Sequence, residues 1–365
     1  MGHVGAWVIA LFLAMGQPVT GAGASDEPSD HFIRVDLPAD LVAGVTLTDI
    51  AVGDAGWVLV GWEDVSGSSH PWVLHSTDGL TWIPGRLPDR PEGGLLAQVA
   101  AHADGFVATG MPGALWVSAD GVSWQAHELE APLDSSYFHD LTVHEGTLYA
   151  VGCVSLEEQW CSDIGVWRSD DFTTMQPLRL PDEMAFVPYG VAVADRGLVI
   201  AGFGGRSEDG DYVEEGFVAW TGNDQSWETT SLGSGTRLVA VEAGSDGFVA
   251  VGTRDGRVLA VSSTDGVTWT DVADEGERGF ATSVDPGPPV ILAGFDMIDD
   301  DWHGPAVWRR EPGGGLGALR IEGLGPSQQG EFRALAVAAS GDALALSSLH
   351  AGGSEETVVW RLESD

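Results

Sequence analysis

His139, Tyr189, Arg237 and Arg333 each stand just ahead of a short apolar run, at matching positions along a chain of 365 residues. The same alignment puts Thr48, Ala97 and Phe280 at that position in three further runs. The residue that follows reads Asp49, Gln98, Asp140, Gly190, Leu238, Ala281 and Ala334. If the runs are strands around one opening, these residues form a polar ring at its mouth. Two guanidiniums could grip a carboxylate or a sugar there, and Tyr189 and His139 could stack or donate. Asp49 and Asp140 could accept hydroxyl hydrogen bonds, with Gln98 beside them. Residues that line a wet channel are also often polar for solvation alone, so the pattern fits a plain channel as well.

Two other groups carry possible chemistry. Asp209 and Asp211 lie in the acidic stretch 207–215, and Asp299 and Asp301 lie in 296–303. Clustered carboxylates suit a hard cation such as Ca²⁺. The length and register are not those of an EF-hand, and 55 acidic residues produce such clusters by chance. Cys153 and Cys161, the only cysteines, fall within one candidate loop. In an exported protein, a pair at that distance is most simply a disulfide stapling the loop, and two cysteines alone make a poor metal site.

The elements that would position these groups repeat along the chain. A strand pattern closing on glycine recurs as GWVLVG, GFVATG, TLYAVG, GLVIAG, GFVAVG and PVILAG, ending at Gly61, Gly110, Gly152, Gly202, Gly252 and Gly294. A seventh copy, DALALS, ends at Ser347. Successive copies are 49, 42, 50, 50, 42 and 53 residues apart, the period of a four-stranded propeller blade. About ten residues before each copy comes a second apolar run (TDIAV, QVAA, DLTV, GVAV, VAVEA, ATSV, ALAV), the candidate inner strand. The seven copies predict an all-β, seven-bladed β-propeller of four-stranded antiparallel blades over residues 31–365.

After the third strand of several blades stands one motif, STDGLTW at Ser76–Trp82, SADGVSW at Ser118–Trp124 and STDGVTW at Ser263–Trp269. Asp-Gly between two β-rich runs is a hairpin signal, because glycine accepts positive φ while Asp and Ser bond turn amides. Degenerate copies occupy 169–175 and 221–227, and blades six and seven lack the motif. On these residues the chain resembles the BNR or Asp-box repeat family of propellers, which includes sialidases and exported bacterial proteins. The motifs here are one residue shorter between Asp and Trp than the usual form. The resemblance implies that the boxes are structural and mark the face away from any ligand. The Trp residues 82, 124, 227 and 269 are then expected near those hairpins, and 116, 167, 308 and 360 on third strands, all packed between blades. Trp160 and Trp302 are expected on loops.

Each motif leads into an outer strand except in blade seven, where the chain stops. Residues 31–38 (HFIRVDLP) match the outer strands in character, so the N-terminal strand is expected to complete blade seven. Ahead of it, residues 1–24 read as a signal peptide. An apolar run at 4–15 is too short to span a bilayer, and Ala22-Gly23-Ala24 offers a cleavage site before a short linker. The reading is a secreted or otherwise extracytoplasmic protein, expected as a monomer without membrane insertion.

A formal charge of -39, with no lysine in the sequence, argues against nucleic acid and anionic membranes as partners and permits cationic ones. No HExxH, nucleophile elbow or phosphate-binding glycine loop is present. The favoured function is a non-catalytic binding module for an extracellular glycan, peptide or protein, with no catalytic residues and no cofactor beyond a possible Ca²⁺. The first alternative, implied by the resemblance, is a sialidase-like glycoside hydrolase casting Tyr189, Glu242, Asp49, Arg237, Arg278 and Arg333 in the family's roles. Against it, the Phe-Arg-Ile-Pro signature is absent, sialidase domains have six blades, and Glu242 is expected to point away from the mouth or lie too deep. The second alternative is an extracytoplasmic assembly factor.

Overall fold

The computed structural model describes residues 30–363 apart from 88–93, 112, 131–132, 134–136, 155, 158–159, 162–163, 181–185, 209–210, 225, 273–276, 299–300, 312–313, 325–327 and 352–353. Side chains at 156–161, 206–212, 298–303 and 351–354 also lie outside the description. Seven sheets follow one another around a ring, six of them antiparallel and ordered in sequence from the inner to the outer strand, the seventh completed by strands from elsewhere in the chain. The inner strands are Val45–Gly53, Leu95–His102, Tyr137–His144, Phe186–Ala194, Thr236–Gly244, Gly279–Asp285 and Gln329–Val337. No helix among the described residues is long and apolar enough to cross a membrane.

Blade seven closes as the sequence predicts. His31–Val35 pairs antiparallel with Ser354–Glu363, and Arg320–Ile321, from the link between blades six and seven, adds a parallel strand outside it. The sheet edge that N-terminal closure would leave open is thereby covered as well.

The protein has no single core. Its apolar residues form seven clusters, each between neighbouring blades. Between blades one and two, Val58, Val60 and Val73 meet Leu96, Phe106, Trp116 and Trp124. Across the seam, Val35, Leu346 and Val359 meet Leu47, Leu59 and Trp82. Trp116, Trp167, Trp308 and Trp360 are buried on third strands, as are Trp82 and Trp124 beside their turns, whereas Trp227 and Trp269 are only partly buried.

The Ser-x-Asp-Gly turns explain their own residue types. Asp78 Oδ1 accepts the amides of Leu80 and Thr81 at 2.8 and 2.7 Å, and Ser76 Oγ accepts that of Gly79 at 2.8 Å. Asp120 and Asp265 repeat the arrangement, and the degenerate turn at Ser169 keeps it through Asp171. Gly266 has φ +81°, and a Cβ there would stand 2.1 Å from Trp220 Cδ1, so backbone and space both demand glycine.

Candidate functional site

Each inner strand carries a β-bulge at the same height. The irregular residues are Thr48, Ala97, His139, Tyr189, Val239, Thr282 and Arg333, and the residues after them are Asp49, Gln98, Asp140, Gly190, Ala240, Ser283 and Ala334. This corrects the sequence alignment in two blades. Arg237 and Phe280 lie two residues before the bulge, and Val239 and Thr282 take the places expected for them. A two-residue slip returns every side chain to the same face, so the apolar pattern is unchanged by it. The bulge nevertheless leaves a mark. It sets two apolar residues three apart, as in Leu47/Ile50, Phe138/Leu141, Leu238/Val241 and Ala281/Val284, where strict alternation would give two or four.

At three junctions the bulge builds a side-chain tie to the next blade. Thr48 Oγ1 donates to Leu96 O at 2.9 Å, and Asp49 Oδ2 accepts from Val99 N at 2.8 Å. His139 Nδ1 lies 2.7 Å from Pro188 O, so Nδ1 carries the proton and donates, and Asp140 Oδ2 accepts from Val191 N at 2.8 Å. In blade six, Thr282 Oγ1 donates to Phe332 O at 2.7 Å and Ser283 Oγ accepts from Leu335 N at 3.2 Å. Three of the predicted ligand residues, Asp49, His139 and Asp140, are therefore engaged in ties to the next blade. Asp49 and Asp140 spend their oxygens on backbone amides, each also bonding the next amide of its own strand at 2.8 Å, and Gln98 and His139 share their level. The other second positions, Gln98, Gly190, Ala240 and Ala334, offer no carboxylate or hydroxyl. At Gly190 a Cβ would meet Val241 N at 2.7 Å, so blades four and five touch through backbone.

His139 also begins a column of rings. Its imidazole stacks on Tyr189 at 4.8 Å and 9°, and Tyr189 stacks on Phe203 at 4.9 Å and 4°. The Arg237 guanidinium lies 5.5 Å from the centre of the Phe203 ring. Tyr137 meets His139 edge-on at 5.4 Å. These separations are those of attractive ring pairs and a cation–π contact. Glu214, on the third strand of blade four, holds Arg237 through both oxygens. The column thus joins blades three, four and five. It brings together three of the predicted residues, His139, Tyr189 and Arg237, along with Tyr137, with Phe203, and with Glu214 from the acidic stretch 207–215. Arg333 belongs to a different group in blade seven, paired with Glu355 and 3.8 Å from Glu331.

Inside the channel the carboxylates experience one another. Burial pushes Asp49 up to about 7 and Asp140 up to about 8, against the opposing pull of their amide bonds, and Asp49 adds to the rise at Asp140. Glu242 is raised well above its ordinary value, first by the surrounding protein and then by Asp140, Asp285 and Asp49. Its side chain nonetheless reaches water, which screens part of this effect. Glu242 therefore feels the channel carboxylates from two residues beyond Ala240, in keeping with the expectation that it lies deep. Burial holds His139 below the usual imidazole value, so the ring is neutral at pH 7.

The Ca²⁺ expectation at Asp209, Asp211, Asp299 and Asp301 concerns side chains outside the described residues. Among the described residues one group could hold a metal ion, His144, Glu145 and Asp195, on the turns opposite the mouth. Cys153 is buried, is not a free thiol, and has its sulfur 3.6 Å from His139 Nε2. The side chain of Cys161 is outside the description.

No protein-family model matches the chain, and neither does any curated protein. Solved structures do resemble it. YCF48 bound to D1 peptide matches with a TM-score of 0.57 at 15% identity, over 94% of this chain and 97% of that one. Sqt1 from Chaetomium thermophilum gives 0.48 at 13% identity over 89% and 84%, and the GH74 enzyme of Niastella koreensis gives 0.37 at 12% over 82% and 54%. At these identities the likeness is one of fold. The protein is a seven-bladed β-propeller.

Proposed function

We propose that this propeller is a non-catalytic, extracytoplasmic binding module that holds a cationic peptide or protein segment across the channel mouth at blades three to five. The ring column from His139 to Arg237 carries the reading. Its faces cover one another, so it presents ring edges, the Tyr189 hydroxyl and the Arg237–Glu214 pair along a line that crosses three blades. A sugar needs an open ring face to stack on, whereas a peptide can lie along edges and polar tips. The charge of -39 favours a positive partner. A structural neighbour whose recorded ligand is a peptide accords with this choice. In the same reading Cys153 and Cys161 are disulfide-bonded and staple the blade-three loop beside the column. The hydrolase alternative is less well supported, because Tyr189 is stacked on both sides and Arg237 and Arg333 already hold glutamates.

The test is binding of labelled Gly-Ser peptides carrying one arginine, no charge or one aspartate, alongside sialylated and neutral oligosaccharides. The arginine peptide should bind best, and Tyr189→Ala and Arg237→Ala should each weaken it about ten-fold, as loss of an interface anchor does. Binding of oligosaccharide alone, or release of sugar, would overturn the reading.

A further inference from the structure

We propose that Asp140 is a positioning residue that makes the mouth site proton-sensitive, because it ties blade three to blade four directly beside the ring column through a carboxyl that must accept two amides. The inference rests on the mouth as the binding site and names a regulation of it.

The tie has two strands. His139 Nδ1 reaches Pro188 O, and Asp140 Oδ2 accepts from Val191 N, so the residues on either side of Tyr189 are pinned to blade three. The stack of His139 on Tyr189 depends on that pinning. Asp140 Oδ1 is occupied as well, by Leu141 N at 2.8 Å. An ionised carboxylate can satisfy both amides. A protonated one accepts more weakly, above all at the oxygen that carries the proton, so one of the two bonds is loosened, either within its own strand or across the junction.

The channel presses for that proton. Burial is the main pressure on Asp140 and Asp49 of blade one adds to it, while Asp140 in turn, with Asp285 of blade six and Asp49, acts on Glu242 of blade five. The neighbours at its own height are a neutral His139, Tyr189 and Gln98. The nearest arginine of the column, Arg237, is held by Glu214. Local geometry thus asks for charge while the channel asks for a proton, and burial places the balance near neutral pH. Ionisation tightens the tie and adds negative charge at the mouth, so both effects strengthen binding of a cationic segment as pH rises.

The molecule supplies its own controls. Asp49 makes the same tie between blades one and two with no ring stacked on it, and Ser283 makes it between blades six and seven with a hydroxyl that does not titrate in this range. Asp140→Ser therefore copies a tie already present in the fold. The experiment follows the ring protons of Tyr189 and His139 by NMR in the ligand-free protein from about pH 6 to about pH 9, well above the ordinary aspartate range and bracketing the raised Asp140. In parallel it measures binding of the one-arginine peptide. The wild-type ring signals should show an inflection that Asp140→Ser abolishes and Asp49→Ser retains. Wild-type affinity should rise about five-fold over that range, the low end of coupling between sites, and stay level in Asp140→Ser. Flat wild-type ring signals, or an inflection that survives in Asp140→Ser, would overturn the proposal whether or not a peptide binds. Asp140→Ser weakening binding equally at every pH would reduce Asp140 to a structural tie and also overturn it. Titrating rings with no peptide bound at any pH support the switch and overturn the proposed function alone.

Discussion

The two rims of the ring use aspartate in opposite ways. On the turns, Asp78 and Asp265 bond two amides each in full contact with water, and those bonds draw them down to about 2. In the channel, Asp49 and Asp140 also bond two amides each, yet burial overrides the bonds and drives them to about 7 and about 8. The amide count is the same, the turn aspartates add a hydroxyl bond from Ser76 or Ser263, and the sign of the shift is reversed. Solvent access, and not bonding, decides which rim can respond to pH near neutrality.

The strongest way to break the contrast is to remove what fixes a turn to the ring. Trp124 is buried between blades one and two and donates to Gly121 O at 3.0 Å. Trp124→Ala should cost about 3 to 5 kcal/mol in denaturant unfolding, as large core truncations do. A near-native midpoint would mean that the turn holds itself. A smaller effect is expected at the aspartate of that turn. Asp120→Ala loses the acceptor for the Val122 and Ser123 amides and should cost about 1 kcal/mol, the scale of a lost helix cap.

The pH profile sharpens the comparison without large losses. The turn aspartates are depressed below their unfolded value. Their contribution is complete above about pH 4 and is lost as pH falls through about 2. The channel aspartates are raised, so the folded state holds protons that the unfolded chain has released. Stability should decline from about pH 4 upward and level off beyond the folded values of about 7 and about 8. Urea midpoints of the wild type should therefore fall between mildly acidic and mildly alkaline buffer. Asp49→Asn with Asp140→Asn should flatten that fall while leaving the acid limb in place. A wild-type profile that rises with pH would show that channel water, and not burial, controls these groups.

Much of the fold was legible because packing repeats. Glycine-closed second strands, Asp-Gly turns and third-strand tryptophans occur blade after blade, and each has a local physical cause. Closure by His31–Val35 was legible because one blade lacked an outer strand and one spare strand existed. The mouth was only partly legible. His139 and Tyr189 were found by position, whereas Arg237 was picked at a register that is off by two in blades five and six, where Val239 and Thr282 hide a bulge inside an unbroken apolar pattern. Phe203 and Glu214 were not joined to the mouth because they come from second and third strands, and a repeat built on inner strands does not point to them. That Asp49 and Asp140 bond amides depends on the distance between blades, which no single strand encodes.

The seam has a consequence for how the chain reaches this state. Arg34 pairs with Glu356 across 322 residues of sequence, and the strand that seals blade seven precedes every other described strand. It must wait, unpaired, until the last strand arrives. Closure is accordingly the slowest kind of contact to make and a late event in folding. Until it happens, the open side of blade one, with Leu47, Leu59 and Trp82, lacks its partner layer, so an incomplete chain exposes its stickiest surface at the seam.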